Sequence, residues 1–338
     1  MNIFISLAVV SGRQYLNYAV KAGNTMSEYT MKAMAYSSYG GVEKLKRMDL
    51  PLPKVGPGSV RIKVKAAGVN PVDWKVMAGY LDPIMDIAFP AIPGWDVAGI
   101  VDAVGFDTPE FKIGDEVHAY GRRDSVGVGS FAEYMTLPAH VVAHKPHQLS
   151  FEEAAALPLT GGTALRALDS LELAPGQTLL IHNGAGGVGQ AAIQIAKAAG
   201  VRVLATASVK NHELLNSLGA EPLVYGDGLV EAVRARVPGG VDAVADFHGE
   251  ALEPTLAVLK ESGSHASIAD GTVGAHGGRY IWVRPDGKEL QRLDALVEQG
   301  KLGVHVVSTY PMQQAAAAFT QSMSGHAGGK IVLTEFTD

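Results

Sequence analysis

From residue 59 to 66 the chain reads Ser-Val-Arg-Ile-Lys-Val-Lys-Ala, apolar and charged positions in alternation, as a strand with one buried face requires. Comparable strand signals cover residues 32–36, 96–104, 116–119, 131–137 and 140–144, and Pro51, Pro53, Pro57, Pro71, Pro90 and Pro93 punctuate them with turns. This pattern predicts an all-β, barrel-like unit up to about Gln148. At Ser150 the period changes. Ser150-Phe-Glu-Glu153 is a capping box ahead of an alanine-rich helix, and a second helix is expected over 163–171. Strands at 201–206, 222–225, 241–246 and 264–268 then alternate with helices at 211–218, 229–237 and 252–259. Such alternation predicts a parallel sheet wound with helices on both faces. A helix at 288–299, a strand at 304–308, a helix at 312–323 and a strand at 330–333 form a mixed tail that periodicity alone does not assign.

The second half opens on an apolar strand from Thr178, a glycine-rich turn, and apolar residues at helical spacing through Ala192, Ile195 and Ala196. Gly184, Gly186 and Gly189 stand in the G-x-G-x-x-G frame, where the first glycine allows the turn, the second admits a pyrophosphate and the third lets helix pack on strand. Free N–H groups and the positive end of the helix dipole would receive the phosphates of a dinucleotide. An NAD site usually carries an acid about 20 residues past these glycines, near the end of the next strand. Here no acid precedes Glu213; Thr206, Ala207, Ser208, Lys210, Asn211 and His212 occupy that place. These residues would welcome a 2′-phosphate, so NADPH is expected over NADH. The competing view makes Asn211 a helix cap and Lys210 a solvated surface residue.

The chain is long enough, at 338 residues, for two domains. A net charge of −6 leaves no basic field for nucleic acid or an anionic membrane. Cysteine is absent, which excludes disulfides, thiolate nucleophiles and cysteine-ligated zinc. A cytoplasmic protein is the expectation. The apolar run at residues 3–10 is too short to span a bilayer and no Lys or Arg precedes it, so residues 1–30 are expected to be a poorly ordered extension.

Several separate stretches then fall in one order: Ala66-Ala-Gly-Val-Asn-Pro-Val-Asp73, Pro93-Gly-Trp-Asp-Val-Ala-Gly-Ile-Val101, Gly114-Asp-Glu-Val-His118, Gly129-Ser-Phe-Ala-Glu-Tyr134, Glu153-Ala-Ala-Ala-Leu-Pro158 with Thr160, the glycine turn, and Gly329-Lys-Ile-Val-Leu333. From about Met31 to its end the chain thus resembles the medium-chain dehydrogenase/reductase superfamily, and within it the zinc-free quinone oxidoreductase (zeta-crystallin-like) branch. The resemblance implies an α/β protein: a GroES-like β-barrel catalytic domain over 31–150, a Rossmann doubly wound parallel-sheet domain over 151–287, and a segment 288–338 returning to the barrel. It implies an active site in the cleft between them and a homodimer.

Zinc-dependent members place Cys where this chain has Asn70, and Gly-His-Glu where it has Gly94-Trp95-Asp96. One potential ligand, Asp96, remains of the three that a catalytic zinc needs, so no metal is expected. His140, His144 and His147 are expected at the surface: on extended chain the first two lie roughly 13 Å apart, too far for one ion. Without a Lewis acid, charge developing on a carbonyl oxygen must be met by hydrogen-bond donors. Asn70 is the first candidate, with Tyr80 and Lys75 as further donors close by. The alternative makes Asn70-Pro71 a turn and Lys75 plain surface. By resemblance, Thr160, Asn183, Gly184, Ala185, Gly186, Gly187, Val188 and Gly189 hold the pyrophosphate and nicotinamide side. Ser208, Lys210 and Tyr225 match positions that contact the 2′-phosphate and adenosine, and Lys330 is a candidate for the phosphate or the interface. The implied reaction is hydride transfer from NADPH to a quinone or an α,β-unsaturated carbonyl. A reductase of another carbonyl or an enoyl thioester, and a catalytically silent NADPH-binding protein of crystallin type, share these features.

Overall fold

The structure, a computed structural model, describes residues 30–325 and 327–337. The extension expected over 1–30 lies, apart from Thr30, outside the described residues. The chain begins with an antiparallel pair, β1 (Thr30–Ala35) and β2 (Lys46–Pro51); the second of these strands carries no clear alternation and is not foreseen from the sequence. β3 (Ser59–Val69) buries Val60, Ile62 and Val64 and turns Lys63 outward, as its alternation demands. It runs three residues beyond the alternating stretch, because from Ala66 on both of its faces are covered. The covering element is α2 (Phe151–Ala156), after α1 (Pro71–Met77) and the strands β4 (Asp96–Val104), β5 (Glu116–Tyr120), β6 (Tyr134–Pro138) and β7 (Val142–His144). A Cβ added at Gly68 would stand 2.3 Å from the Ala155 carbonyl oxygen, so only glycine allows this contact. Asn70-Pro71 is therefore not a turn but a helix start, with Asn70 at the N-cap and Pro71 in the first turn.

The helix expected over 163–171 begins earlier, as α3 (Pro158–Leu171), again on a proline. β8 (Thr178–His182), α4 (Gly187–Ala198), β9 (Arg202–Thr206), α5 (His212–Ser217), β10 (Glu221–Leu223), α6 (Leu229–Arg236), β11 (Val241–Asp246), α7 (Leu252–Val258), β12 (Leu259–Ser267) and β13 (Arg279–Tyr280) follow. The six strands form one parallel sheet in the order β10-β9-β8-β11-β12-β13. Chain order reverses between β8 and β11, so the crevice beyond the carboxyl ends of these two strands is the place where such a sheet takes a ligand. The core of this half joins α3, α4, β8 and β11 through Leu165, Leu179, Ile181, Ile193 and Ala245.

The tail resolves into α8 (Gly287–Glu298), β14 (Val306–Pro311), α9 (Ala315–Met323) and β15 (Lys330–Thr334). Asp286 caps α8 by accepting the N–H groups of Lys288 and Glu289, and Leu290, Leu293 and Val297 pack it into the core shared with α3. β15 pairs antiparallel with β3 and parallel with β14, closing a seven-stranded sheet with β4, β5, β6 and β7. Phe319 of α9 packs on Phe131 beneath it, ring centroids 5.6 Å apart. His140, His144 and His147 are all exposed, and the His144 ring lies against Phe111.

Candidate active site

The glycine turn sits at the carboxyl end of β8. Asn183 takes the left-handed conformation, φ +59°, and is pinned there: its N–H donates to Thr206 Oγ1 at 3.1 Å and its Nδ2 to the Phe247 carbonyl at 3.2 Å. Gly186 is the N-cap of α4, whose first turn contains no acid to compete for its N–H groups. At Gly189 a Cβ would lie 2.3 Å from the Asn183 carbonyl oxygen and 2.7 Å from Gly184 Cα; helix and strand cross that closely. Ala185, Gly187 and Val188 complete the rim, and the Thr160 methyl stands 3.2 Å from where a Gly187 Cβ would be. The Thr160 hydroxyl itself donates to the Ala156 carbonyl at 3.0 Å. These residues fit the pyrophosphate of a dinucleotide.

Ser208 and Lys210 follow the end of β9 and Tyr225 follows the end of β10, two neighbouring strand ends joined where the Ala207 N–H donates to the Leu223 carbonyl at 2.9 Å. Lys210 and Tyr225 are exposed. Asn211 does not cap α5 through its side chain; its Nδ2 reaches Ser208 Oγ at 3.4 Å instead.

On the barrel side Asn70 is 1 % exposed and lies inside a charged network. Its Nδ2 donates to Asp96 Oδ2 at 2.9 Å, its Oδ1 accepts from Lys330 Nζ at 2.5 Å, and its N–H donates to Asp73 Oδ2 at 2.8 Å. Asp96 Oδ1 accepts the Leu159 N–H at 2.9 Å, which ties the barrel to the first turn of α3. Lys330, a candidate for the phosphate or the interface, is held in this network: buried at 6 % exposure, its ammonium also donates to the Val69 carbonyl at 3.2 Å and stands 3.8 Å from Asp96 Oδ2. The other two proposed donors stay outside this network. Lys75 Nζ lies 5.6 Å over the Trp74 ring on the exposed side of α1, and Tyr80, three residues past the end of that helix, is 69 % exposed. Asp73 and Asp96, neither of which the sequence reading made a catalytic candidate, are bonded directly to Asn70. The signal was present in Asn70-Pro-Val-Asp73 and Gly94-Trp-Asp96, but a carboxylate three residues from an N-cap ordinarily does no more than cap.

Burial governs the charges here. It raises Asp73 to about 8, against the hydrogen bond from the Asn70 N–H, with the Asp96 charge adding to the rise. It raises Asp96 to about 6, opposed by the Lys330 charge and the Asn70 amide, and it pushes the Lys330 ammonium down. Oδ1 of Asp73 and the hydroxyl of Tyr36 are both buried without a hydrogen-bond partner. Because Asp73 titrates above its ordinary 3.8, the fold favours the protonated form. The stability it contributes is whole below about pH 4 and is lost as pH rises toward 8. Asp73→Asn keeps an acceptor for the Asn70 N–H and removes the charge. Its unfolding midpoint, followed across that range, should lose a pH dependence on the order of a few kcal/mol; an unchanged slope would refute the assignment.

The set does not fit a zinc ion. Asn70 offers an amide, Trp95 no ligand atom, and both Asp96 oxygens are engaged, while the Lys330 ammonium already places a positive charge against them.

The Alcohol dehydrogenase GroES-like domain model matches residues 56–147, and the Zinc-binding dehydrogenase model matches residues 218–333. An NADPH-dependent alkenal/one oxidoreductase, chloroplastic, of Arabidopsis thaliana is 37% identical over 90% of this chain and 79% of its own. A 2-methylene-furan-3-one reductase of Solanum lycopersicum is 36% identical over the same shares, 90% and 79%. The solved quinone oxidoreductase of Coxiella burnetii superposes with a TM-score of 0.81 at 33% identity, covering 90% of this chain and 99% of that one.

Proposed function

The chain belongs to the medium-chain dehydrogenase/reductase superfamily as an oxidoreductase of quinone and enone type, and from that premise we propose an NADPH-dependent, zinc-independent reductase of quinones or α,β-unsaturated carbonyls. The observation that supports the coenzyme choice is the end of β9: no carboxylate follows it before Glu213, and Ser208 and Lys210 lie in that stretch, with Tyr225 just past β10, as the residues we assign to a 2′-phosphate. The two enone-type relatives and the quinone oxidoreductase structure support the substrate class. Bound nicotinamide supplies a hydride. The chain's own contribution is to seat the pyrophosphate on the α4 amides, to keep the crevice between the two halves dry, and to present the second Nδ2 proton of Asn70 to a carbonyl oxygen gaining charge.

Purified protein given NADPH with a panel of quinones, 2-alkenals and enones should consume NADPH with at least one of them. Binding without turnover of any acceptor would refute the reaction. Lys210→Glu sets like charges together and should weaken NADPH about 10- to 100-fold while leaving NADH within about threefold. Equal losses for both coenzymes would contradict the placement of the 2′-phosphate. A homodimer through an edge strand of the six-stranded sheet, whose edges are β10 and β13, belongs to the same proposal.

A further inference from the structure

Lys330 is the one ammonium in the Asn70 network, and it makes two hydrogen bonds inside the protein, to Asn70 Oδ1 at 2.5 Å and to the Val69 carbonyl at 3.2 Å, with Asp96 Oδ2 as its counter-charge at 3.8 Å. We propose that Lys330 is a positioning residue that fixes the Asn70 amide in a single orientation, and that it reaches the reaction through Asn70 and not through the coenzyme phosphates. This inference rests on the reductase reading above.

An asparagine amide can sit either way round, and its neighbours decide which. A cation can approach only the oxygen and a carboxylate can accept only from the nitrogen. With Lys330 on Oδ1 and Asp96 on Nδ2, the reverse orientation would set ammonium against NH₂ and carboxylate against oxygen. One Nδ2 proton goes to Asp96 and the other is left as a donor of fixed direction. The register of β15 on β3 makes this possible: Ile331 faces Val69 across the ladder, so Lys330 and Asn70 are opposite at its next position. The lysine stem crosses to the other half of the molecule, where its Cδ lies 3.2 Å from the position of a Gly187 Cβ, at the first residue of α4. The same side chain thus spans the barrel strand and the glycine turn, and it aligns the donor relative to the coenzyme cradle. Burial of the whole group keeps water from competing for any of these bonds.

The test is a cycle of Lys330→Met, Asn70→Ala and the double variant. It is read by NADPH affinity from fluorescence titration without acceptor, by kcat with an acceptor the parent protein reduces, and by the thermal unfolding midpoint. Lys330→Met should hold NADPH within about threefold of the parent while kcat falls about 10²-fold. The double variant should fall no further than Asn70→Ala. A rise in the NADPH Kd of about tenfold or more with kcat intact would make Lys330 a phosphate ligand and overturn the proposal, as would kcat losses that multiply. Should Lys330→Met fail to fold, Lys330→Arg, which keeps charge and donors but not the geometry, is judged by the same split. Should the parent protein reduce no acceptor, the reductase reading fails. The unfolding midpoints then decide the positioning claim, since additive shifts for the two substitutions would overturn it and strongly coupled ones support it.

Discussion

Gly189→Ala should weaken NADPH binding about 10²-fold and lower the unfolding midpoint together. A methyl there would lie 2.3 Å from the Asn183 carbonyl oxygen and 2.7 Å from Gly184 Cα, both backbone atoms, so no side chain can rotate away to make room. Relief requires α4 to move off β8 by roughly an ångström, at a cost of about 3 kcal/mol for overpacking of this kind. That movement takes the N-terminal amides of α4 out of reach of the pyrophosphate, and a 10²-fold loss of affinity corresponds to about 2.7 kcal/mol. Asn183, held at φ +59° by Thr206 and Phe247, cannot follow the helix without breaking its own bonds. Coenzyme titration and thermal unfolding of the variant decide the matter: an NADPH Kd within threefold of the parent would show that the close crossing does not shape the cradle.

Asp96→Ala is the second large effect. Asp96 is wholly buried and accepts from the Leu159 N–H and from Asn70 Nδ2, with Lys330 at its flank. Removing it leaves a buried ammonium without its counter-charge and two donors without acceptors. Breaking a buried pair from one side costs about 3–5 kcal/mol. The variant should therefore unfold at markedly lower denaturant and lose most of its turnover, because Asn70 is released from one of the two groups that orient it. A denaturation midpoint equal to that of the parent would mean that the network is ornamental. The contrast with Asp73→Asn is instructive, since that change replaces a carboxyl that the fold favours in its protonated form and keeps the acceptor for Asn70.

How much of this was legible in the chain depends on the range of the interaction. The glycine turn was readable outright, because its three glycines answer constraints within six residues, and so was the absence of an acid at the end of β9. The capping box at Ser150 formed as written, with the Glu153 N–H donating to Ser150 Oγ at 3.2 Å. β4 and β11 took the expected bounds, since their apolar runs are bordered by turns. β3 ran past its alternating stretch for a reason that lies in α2, some eighty residues on, and Gly68 looked like any glycine until Ala155 was set against it.

The candidate site divides in the same way. Local pattern determined the barrel strands, the alternation of the second half, the coenzyme cradle and Asn70 as a residue of interest. Tertiary structure alone decided that Lys330 bonds to Asn70, that Lys75 and Tyr80 stand apart from it, and that Asp73 and Asp96 share one buried cluster. The physical reason is that a helix cap or a phosphate turn is satisfied by neighbours a few residues away. The worth of a charge is set by what else is buried with it, and here the partners are brought from residues 70, 96 and 330 by strand pairing that no local period records.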